Sequence, residues 1–294
     1  MNGFSPTETA TEGIRLTRLR SRAVLVWALA YLGFTILLGR IAELTLGPHS
    51  SEFLHEIQQA GQDADVFWPL AGKMWPFFAV GVPVNLAFQA ILTCAIYRAI
   101  LHPEDMSGGY VRIGADELRM AVLNLLLTLI WTLAIFAVGL VAIVVATTVG
   151  AIGSSLVTLL GGVVTLAAVG VVVWVLVRLS LAGAITFSEQ RIRIRASWSL
   201  TRGRFWPLFG AYVLAFLLWL LLIIVMQFGF WLLLNVAGHI SGLNLNNPDP
   251  ASADPLIFLA FLFTSASTAL ILTCSTVFLT APPAEAYREL TQEG

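Results

Sequence analysis

The longest uncharged stretch of this chain, residues 120–177, sets the strongest limit on its fold. It contains no Asp, Glu, Lys or Arg. A bilayer core about 30 Å thick needs about 20 apolar residues in a helix, so the stretch is too long for one helix and suits two. Gly150, Gly153, Ser154 and Ser155 form a cluster of breaking and polar residues with enough chain on each side. We predict the turn between the two helices there.

Composition gives the same indication over the whole chain. Of its 294 residues, 58% are hydrophobic and only 11% are charged, whereas soluble domains carry about 25% charged residues. A soluble fold of this size has too little interior to hide so much apolar surface, so a membrane is the expected solvent. The net charge of −1 gives no basis for nucleic-acid binding.

The apolar runs predict an all-α, polytopic integral membrane protein with six transmembrane helices. We divide the chain into a basic segment at 1–22, a membrane domain at 23–282 and a tail at 283–294. The six spans are predicted at about 23–46, 75–101, 120–149, 155–178, 206–237 and 256–281.

Local signals refine these boundaries. We expect residues 1–11 to be disordered, with a short amphipathic helix after them as an option. A surface helix is predicted at residues 51–60, and Pro282 and Pro283 are expected to end the sixth span.

Basic residues are distributed unevenly among the connections. With both termini inside, 14 of the 16 Lys and Arg residues lie on the cytoplasmic side, leaving Arg40 and Lys73 outside. This bias predicts that both termini are cytoplasmic. Fifteen arginines against one lysine are typical of a GC-rich bacterial genome, so we expect the bacterial inner membrane.

No pattern predicts catalysis, a cofactor or a metal. The chain has no HExxH, GxSxG or Walker-type glycine loop, and no span holds two carboxylates. Glu52, His55 and Glu56 share a helical face, but a solvated face explains this spacing better than a metal site. The two cysteines, Cys94 and Cys274, fit small apolar core positions.

Polar side chains within the spans have two interpretations. The candidates for a membrane-deep polar lining are Asn85, Gln89 and Asn124. They either line a substrate path or form hydrogen bonds between packed helices. Glycines 139, 150, 153, 161, 162 and 170 suit close packing of the third and fourth spans.

A short connection between the fourth and fifth spans carries the densest positive charge. Its candidate contact residues for a lipid headgroup or a partner are Arg191, Arg193, Arg195, Trp198, Arg202, Arg204 and Trp206. Arginines beside tryptophans at an inner boundary either only fix topology or also bind anionic lipids or a cytoplasmic partner.

The same connection carries a family resemblance. The sequence IRASWSLTRGRFWPLFGAYVL, preceded by VRLSLAGAITF, resembles the bacterial glycerophosphoryl diester phosphodiesterase membrane-domain-like family, with Ala184 where many members have proline. The resemblance implies a six-span membrane region. The family takes its name from proteins in which this region is fused to a phosphodiesterase barrel. No polar stretch of this chain is long enough to form such a barrel. The activity is therefore not carried over.

These observations favour a non-catalytic inner-membrane protein that binds lipids or acts as a scaffold in the cell envelope. Anionic lipids and an envelope protein are the expected partners. The alternative is a permease or exporter component for an amphiphilic substrate.

Overall fold

The computed structural model describes residues 5–47, 53, 56, 57, 59, 64–104, 107–243, 245 and 254–292. Within these ranges there is no β-strand, in agreement with the all-α prediction. The α-helices run in the order α1 Pro6–Leu19, α2 Ser21–Leu46, α3 Ala64–Lys73, α4 Trp75–Leu101, α5 Ala115–Ile152, α6 Ser155–Leu179, α7 Ala182–Glu189, α8 Ile194–Leu200, α9 Phe205–Ser241 and α10 Pro255–Gln292. A short 3₁₀ turn, Ser107–Tyr110, lies between α4 and α5.

Six of these helices, α2, α4, α5, α6, α9 and α10, are long and apolar enough to span a membrane. The turn between α5 and α6 lies where the sequence predicts it. Gly153 adopts a left-handed conformation (φ 65°), and the Ser154 side chain accepts a hydrogen bond from the Val157 backbone N–H at the start of α6. At 1.5 Å per residue, the 38 residues of α5 extend about 57 Å, well beyond a bilayer core of about 30 Å.

The sixth long helix does not end at Pro282 and Pro283, contrary to expectation. It continues through both prolines to Gln292. Each proline lacks an N–H and crowds the carbonyl four residues earlier, which costs about 3 kcal/mol or more in an ordinary helix. The segment beyond them is held by burial, since Ala284, Ala286 and Leu290 pack inside the protein. Tertiary packing therefore outweighs the local signal to stop.

The N-terminal segment also differs from its prediction, because residues 6–11 belong to α1 rather than to a disordered start. Ser5 caps the helix by accepting a hydrogen bond from the Glu8 N–H. The face carrying Ala10, Gly13 and Leu16 is buried against α9 and α10. A Cβ built on Gly13 would lie only 3.1 Å from the Cα of Phe278, so glycine permits this close approach.

The main core lies between α2, α4 and α10. Phe34 and Phe88 stack with their ring centres 4.0 Å apart, and Trp27 donates from its indole N–H to the Gly109 carbonyl at 2.8 Å. By contrast, α5 and α6 form a peripheral pair with large apolar side chains on their exposed faces. A bilayer would cover those faces.

Close packing through glycine is confirmed at one position of this pair. A Cβ on Gly161 would lie 2.4 Å from Val145, so α5 and α6 approach closely there. The other predicted glycines of the pair have no such neighbour within 4 Å, namely Gly139, Gly150, Gly153, Gly162 and Gly170.

The surface helix predicted at 51–60 falls mostly outside the described residues. Phe53, Glu56, Ile57 and Gln59, which are described, are helical.

Candidate anion-binding surface

The basic connection between α6 and α9 folds as two short helices joined by left-handed turns. The first, α7, ends at Glu189, and Gln190 has a φ of 53°. The second, α8, runs from Ile194 to Leu200, and Gly203 with a φ of 81° leads into α9. All the candidate contact residues of this connection are exposed, namely Arg191, Arg193, Arg195, Trp198, Arg202, Arg204 and Trp206.

The arginines of this connection differ in their partners. Arg193 forms an ion pair with Glu189 at 2.6 Å, so its charge is already balanced within the protein. Within the described ranges, no carboxylate lies within 4.0 Å of Arg191, Arg195 or Arg202. These three cations are the ones that an external anion would meet.

Arg178, at the end of α6, is a further member of this surface that the sequence analysis left out of the candidate set. Its guanidinium carbon lies 5.5 Å from the ring centre of Trp174 and 5.7 Å from that of Trp198. The two indoles meet edge to face, with their centres 4.9 Å apart. Such contacts with ring faces stabilise a cation without supplying a counter-charge. Trp174 and Arg178 are four residues, about one helical turn, apart in the sequence. This spacing is the sequence signal that could have identified Arg178 as a member of the surface.

Two hydroxyl groups, one within α8 and one on the residue that follows it, fix this arrangement. The Ser197 hydroxyl donates to the Arg178 carbonyl at 2.7 Å, and the Thr201 hydroxyl accepts from Arg178 Nη1 at 3.4 Å. Both Ser197 and Thr201 are fully buried. Arg178 Nε is shielded from solvent and has no hydrogen-bond partner among the described residues. No carboxylate of the described chain lies within 4.0 Å of Arg178, so its positive charge is uncompensated.

The corresponding arginine at the end of α4, Arg98, has the opposite environment. It is 7% exposed, forms a close ion pair with Glu117 and donates from Nη1 to the Tyr110 carbonyl at 3.1 Å. Its guanidinium also lies 5.6 Å from the ring centre of Phe187. Arg98 is thus a neutralised internal group, whereas Arg178 is a cation without an internal anion.

Arg98 and Arg119 share one carboxylate, whereas Arg178 does not belong to their network. Arg119 binds Asp116 at 2.5 Å, and Arg98 lies 4.0 Å from the same carboxylate. These two therefore belong to one network at the start of α5. Arg178 belongs to the separate surface formed with α8.

The polar candidates within the spans are each half-buried. Gln89 donates to the Tyr31 hydroxyl at 3.0 Å, and that hydroxyl lies 2.7 Å from the hydroxyl of Thr276. This network joins α4, α2 and α10, as expected for hydrogen bonds between packed helices. Neither Gln89 nor Asn85 or Asn124 lines the cavities between α6, α9 and α10 (about 290 Å³), beside Arg20 and Arg22 (about 450 Å³) or under α1 (about 460 Å³).

The described part of the chain contains no group of three His, Cys, Asp or Glu side chains placed to hold a metal ion. Of the candidate trio Glu52, His55 and Glu56, the first two lie outside the described residues. Cys94 and Cys274 are both buried free thiols.

Comparison of the chain with protein-family models, curated proteins and solved structures gave no match.

Proposed function

We propose that this chain is a non-catalytic, multi-pass protein of the bacterial inner membrane with both termini in the cytoplasm. Its role is to bind anionic lipids at the surface formed by α8 and the end of α6, as a lipid-binding or scaffolding component of the cell envelope. The observation that carries this proposal is the uncompensated charge of Arg178, held between two indoles and beside buried hydroxyls.

The chemistry of this surface suits a phosphate-bearing headgroup. A guanidinium offers several N–H donors in a fixed fork that matches phosphate oxygens. Trp198 and Trp206 are exposed amphipathic rings of the type enriched at membrane interfaces. The basic bias of the connections supports an inner-leaflet location for this surface, where each arginine would contribute about 1 kcal/mol of attraction to anionic lipids.

The alternative of a permease or exporter component stays a prediction. Gln89, one of its candidate lining residues, forms a hydrogen bond with Tyr31, and this contact supports the helix-packing interpretation of that side chain. The resemblance to the glycerophosphoryl diester phosphodiesterase membrane-domain-like family also stays a prediction, and so does the absence of enzymatic activity.

The test is native mass spectrometry of the gently purified protein with equal amounts of phosphatidylglycerol and phosphatidylcholine. Arg178→Gln and the triple variant Arg191→Gln/Arg193→Gln/Arg195→Gln are compared with wild type. We expect the preference for phosphatidylglycerol to fall about fivefold for each uncompensated arginine removed.

The matched control is Arg40→Gln, which removes the same charge near the C-terminal end of α2. Arg40 is exposed there and forms an ion pair with Glu43 at 2.6 Å. This control should retain the wild-type lipid preference. An equal phosphatidylglycerol preference in wild type, Arg178→Gln and the triple variant would overturn the proposal.

A further inference from the structure

A second feature of the molecule, separate from the Arg178 surface, is a groove under the N-terminal helix. Its volume is about 460 Å³, within the range of cavities that hold small ligands. It lies between α1, α9 and α10 and is lined by Ile14, Thr17, Arg18, Leu218, Leu221, Leu222, Val225, Cys274 and Phe278.

The wall of this groove is almost entirely hydrocarbon. The α9 side contributes three leucines and Val225, and the α10 side contributes Phe278 and the thiol of Cys274. The Thr17 hydroxyl is occupied by a hydrogen bond to the Gly13 carbonyl at 2.8 Å. The wall therefore offers an occupant no strong polar partner except the guanidinium of Arg18.

The groove is a fixed part of the fold because α1 is fastened to α10 at two points that precede it along α1. The Ser5 N–H donates to Glu289 Oε2 at 3.1 Å near the end of α10. Gly13 lies against the backbone of Phe278 farther along. The two helices therefore run antiparallel, and their contact ends at the groove.

Two arginines of α1 differ in the same way as those of the anion-binding surface, because one is paired with a carboxylate and the other is not. Arg15 forms two hydrogen bonds to the buried Glu12, at 2.6 and 3.0 Å. This contact raises the pKa of the Arg15 guanidinium, whose charge is balanced by a carboxylate within the protein. Arg18, one turn later, is exposed and lines the groove, and no carboxylate in the described ranges lies within 4.0 Å of it. An apolar groove with one uncompensated cation complements a hydrocarbon chain with an anionic head.

We propose that this groove binds one acyl chain of an anionic phospholipid from the surrounding membrane, with the lipid phosphate at the Arg18 guanidinium. A second copy of the chain or an apolar helix would fill the groove but leave the cation without an anion. A zwitterionic lipid brings its own ammonium group to the phosphate and is bound less well.

The experiment is native mass spectrometry on the Arg178→Gln/Arg191→Gln/Arg195→Gln/Arg202→Gln background, so that the uncompensated cations of the proposed anion-binding surface no longer contribute to lipid retention. The protein is offered phosphatidylglycerol and phosphatidylcholine with identical chains, and hexadecanoate in a separate sample. Arg18→Gln removes the cation and Leu222→Trp fills the groove. Arg22→Gln is the matched control, because it removes the same charge four residues later, at an exposed position that does not line the groove.

We expect Arg18→Gln to reduce phosphatidylglycerol retention about fivefold, Leu222→Trp to abolish it, and Arg22→Gln to leave it unchanged. Equal retention in all variants would overturn the site. Equal retention of the two phospholipids would overturn the role of Arg18. Retention of hexadecanoate in place of phosphatidylglycerol would overturn the phospholipid assignment. Since Leu222→Trp can disturb folding, its thermal unfolding is measured alongside, and Arg18→Gln gives an independent result.

Discussion

Replacing Arg98 with glutamine is expected to destabilise this protein more than any other single loss of an arginine described above. Arg98 and Glu117 form an ion pair whose side chains are 9% and 6% exposed. Glutamine keeps much of the side-chain volume but removes the charge. Glu117 would then be left as a buried carboxylate with only the more distant Arg119 network nearby.

The magnitude follows from burial. Removing one partner of a buried ion pair costs about 3–5 kcal/mol, mainly because the remaining charge is stranded in a low-dielectric site. The loss of the hydrogen bond to the Tyr110 carbonyl, 3.1 Å long, contributes to the same cost. Arg178→Gln serves as the comparison. That arginine has no carboxylate partner, and loss of its contacts with two rings is expected to cost about 1–2 kcal/mol.

The assay is equilibrium unfolding in mixed detergent and dodecyl sulfate micelles, followed by tryptophan fluorescence. The double variant Arg98→Met/Glu117→Leu is measured beside the single variants. Because both charges are gone, it should recover most of the stability lost in Arg98→Gln. If Arg98→Gln cost less than Arg178→Gln, or if the double variant were no more stable than Arg98→Gln, the reasoning from buried charge would be wrong.

Two further predictions concern helix packing. Gly161→Ala should destabilise the α5–α6 pair by about 1–3 kcal/mol through overpacking, since its Cβ would meet Val145. Thermal unfolding measures the loss. The control is Gly162→Ala, which should show no loss because nothing lies within 4 Å of a Cβ at that position. Tyr31→Phe removes a hydroxyl within reach of both Gln89 and Thr276 and should cost about 1–2 kcal/mol in the same unfolding assay; an unchanged midpoint would show that the network adds no net stability.

The long apolar helices could be predicted because their signal is local. An uncharged run of the length of residues 120–177 has few alternatives to a membrane-spanning hairpin, and Gly153 and Ser154 mark its turn directly. The six long apolar helices could be predicted without knowing which other helices they contact.

The ends of the chain could not be predicted in the same way. The local sequence of α1 is polar, and Pro282 and Pro283 in α10 are ordinary stop signals. Both segments are helical because each buries a face against the rest of the fold. That burial depends on residues more than 200 positions apart, as in the contact between Gly13 and Phe278.

The candidate site shows the same division. Arg98 and Arg178 occupy equivalent places in the sequence, each at the end of an apolar helix. Their difference arises from what the next connection contributes, which is Glu117 for the first and Trp198 with Thr201 for the second. Charge alone identifies both arginines, but only the packing of the connections distinguishes the neutralised cation from the uncompensated one.

The fastening of α1 to α10 has a consequence for biosynthesis. Helix α1 is synthesised well before α10, the helix to which it is fastened. Until α10 is made, the part of the α1 face that packs on α10 is uncovered, and only α9 and α2 are present to contact α1. Because domains assemble as their segments are synthesised, this seam must close late. The protein therefore acquires its groove, and the register between α1 and α10, only after α10 has been translated.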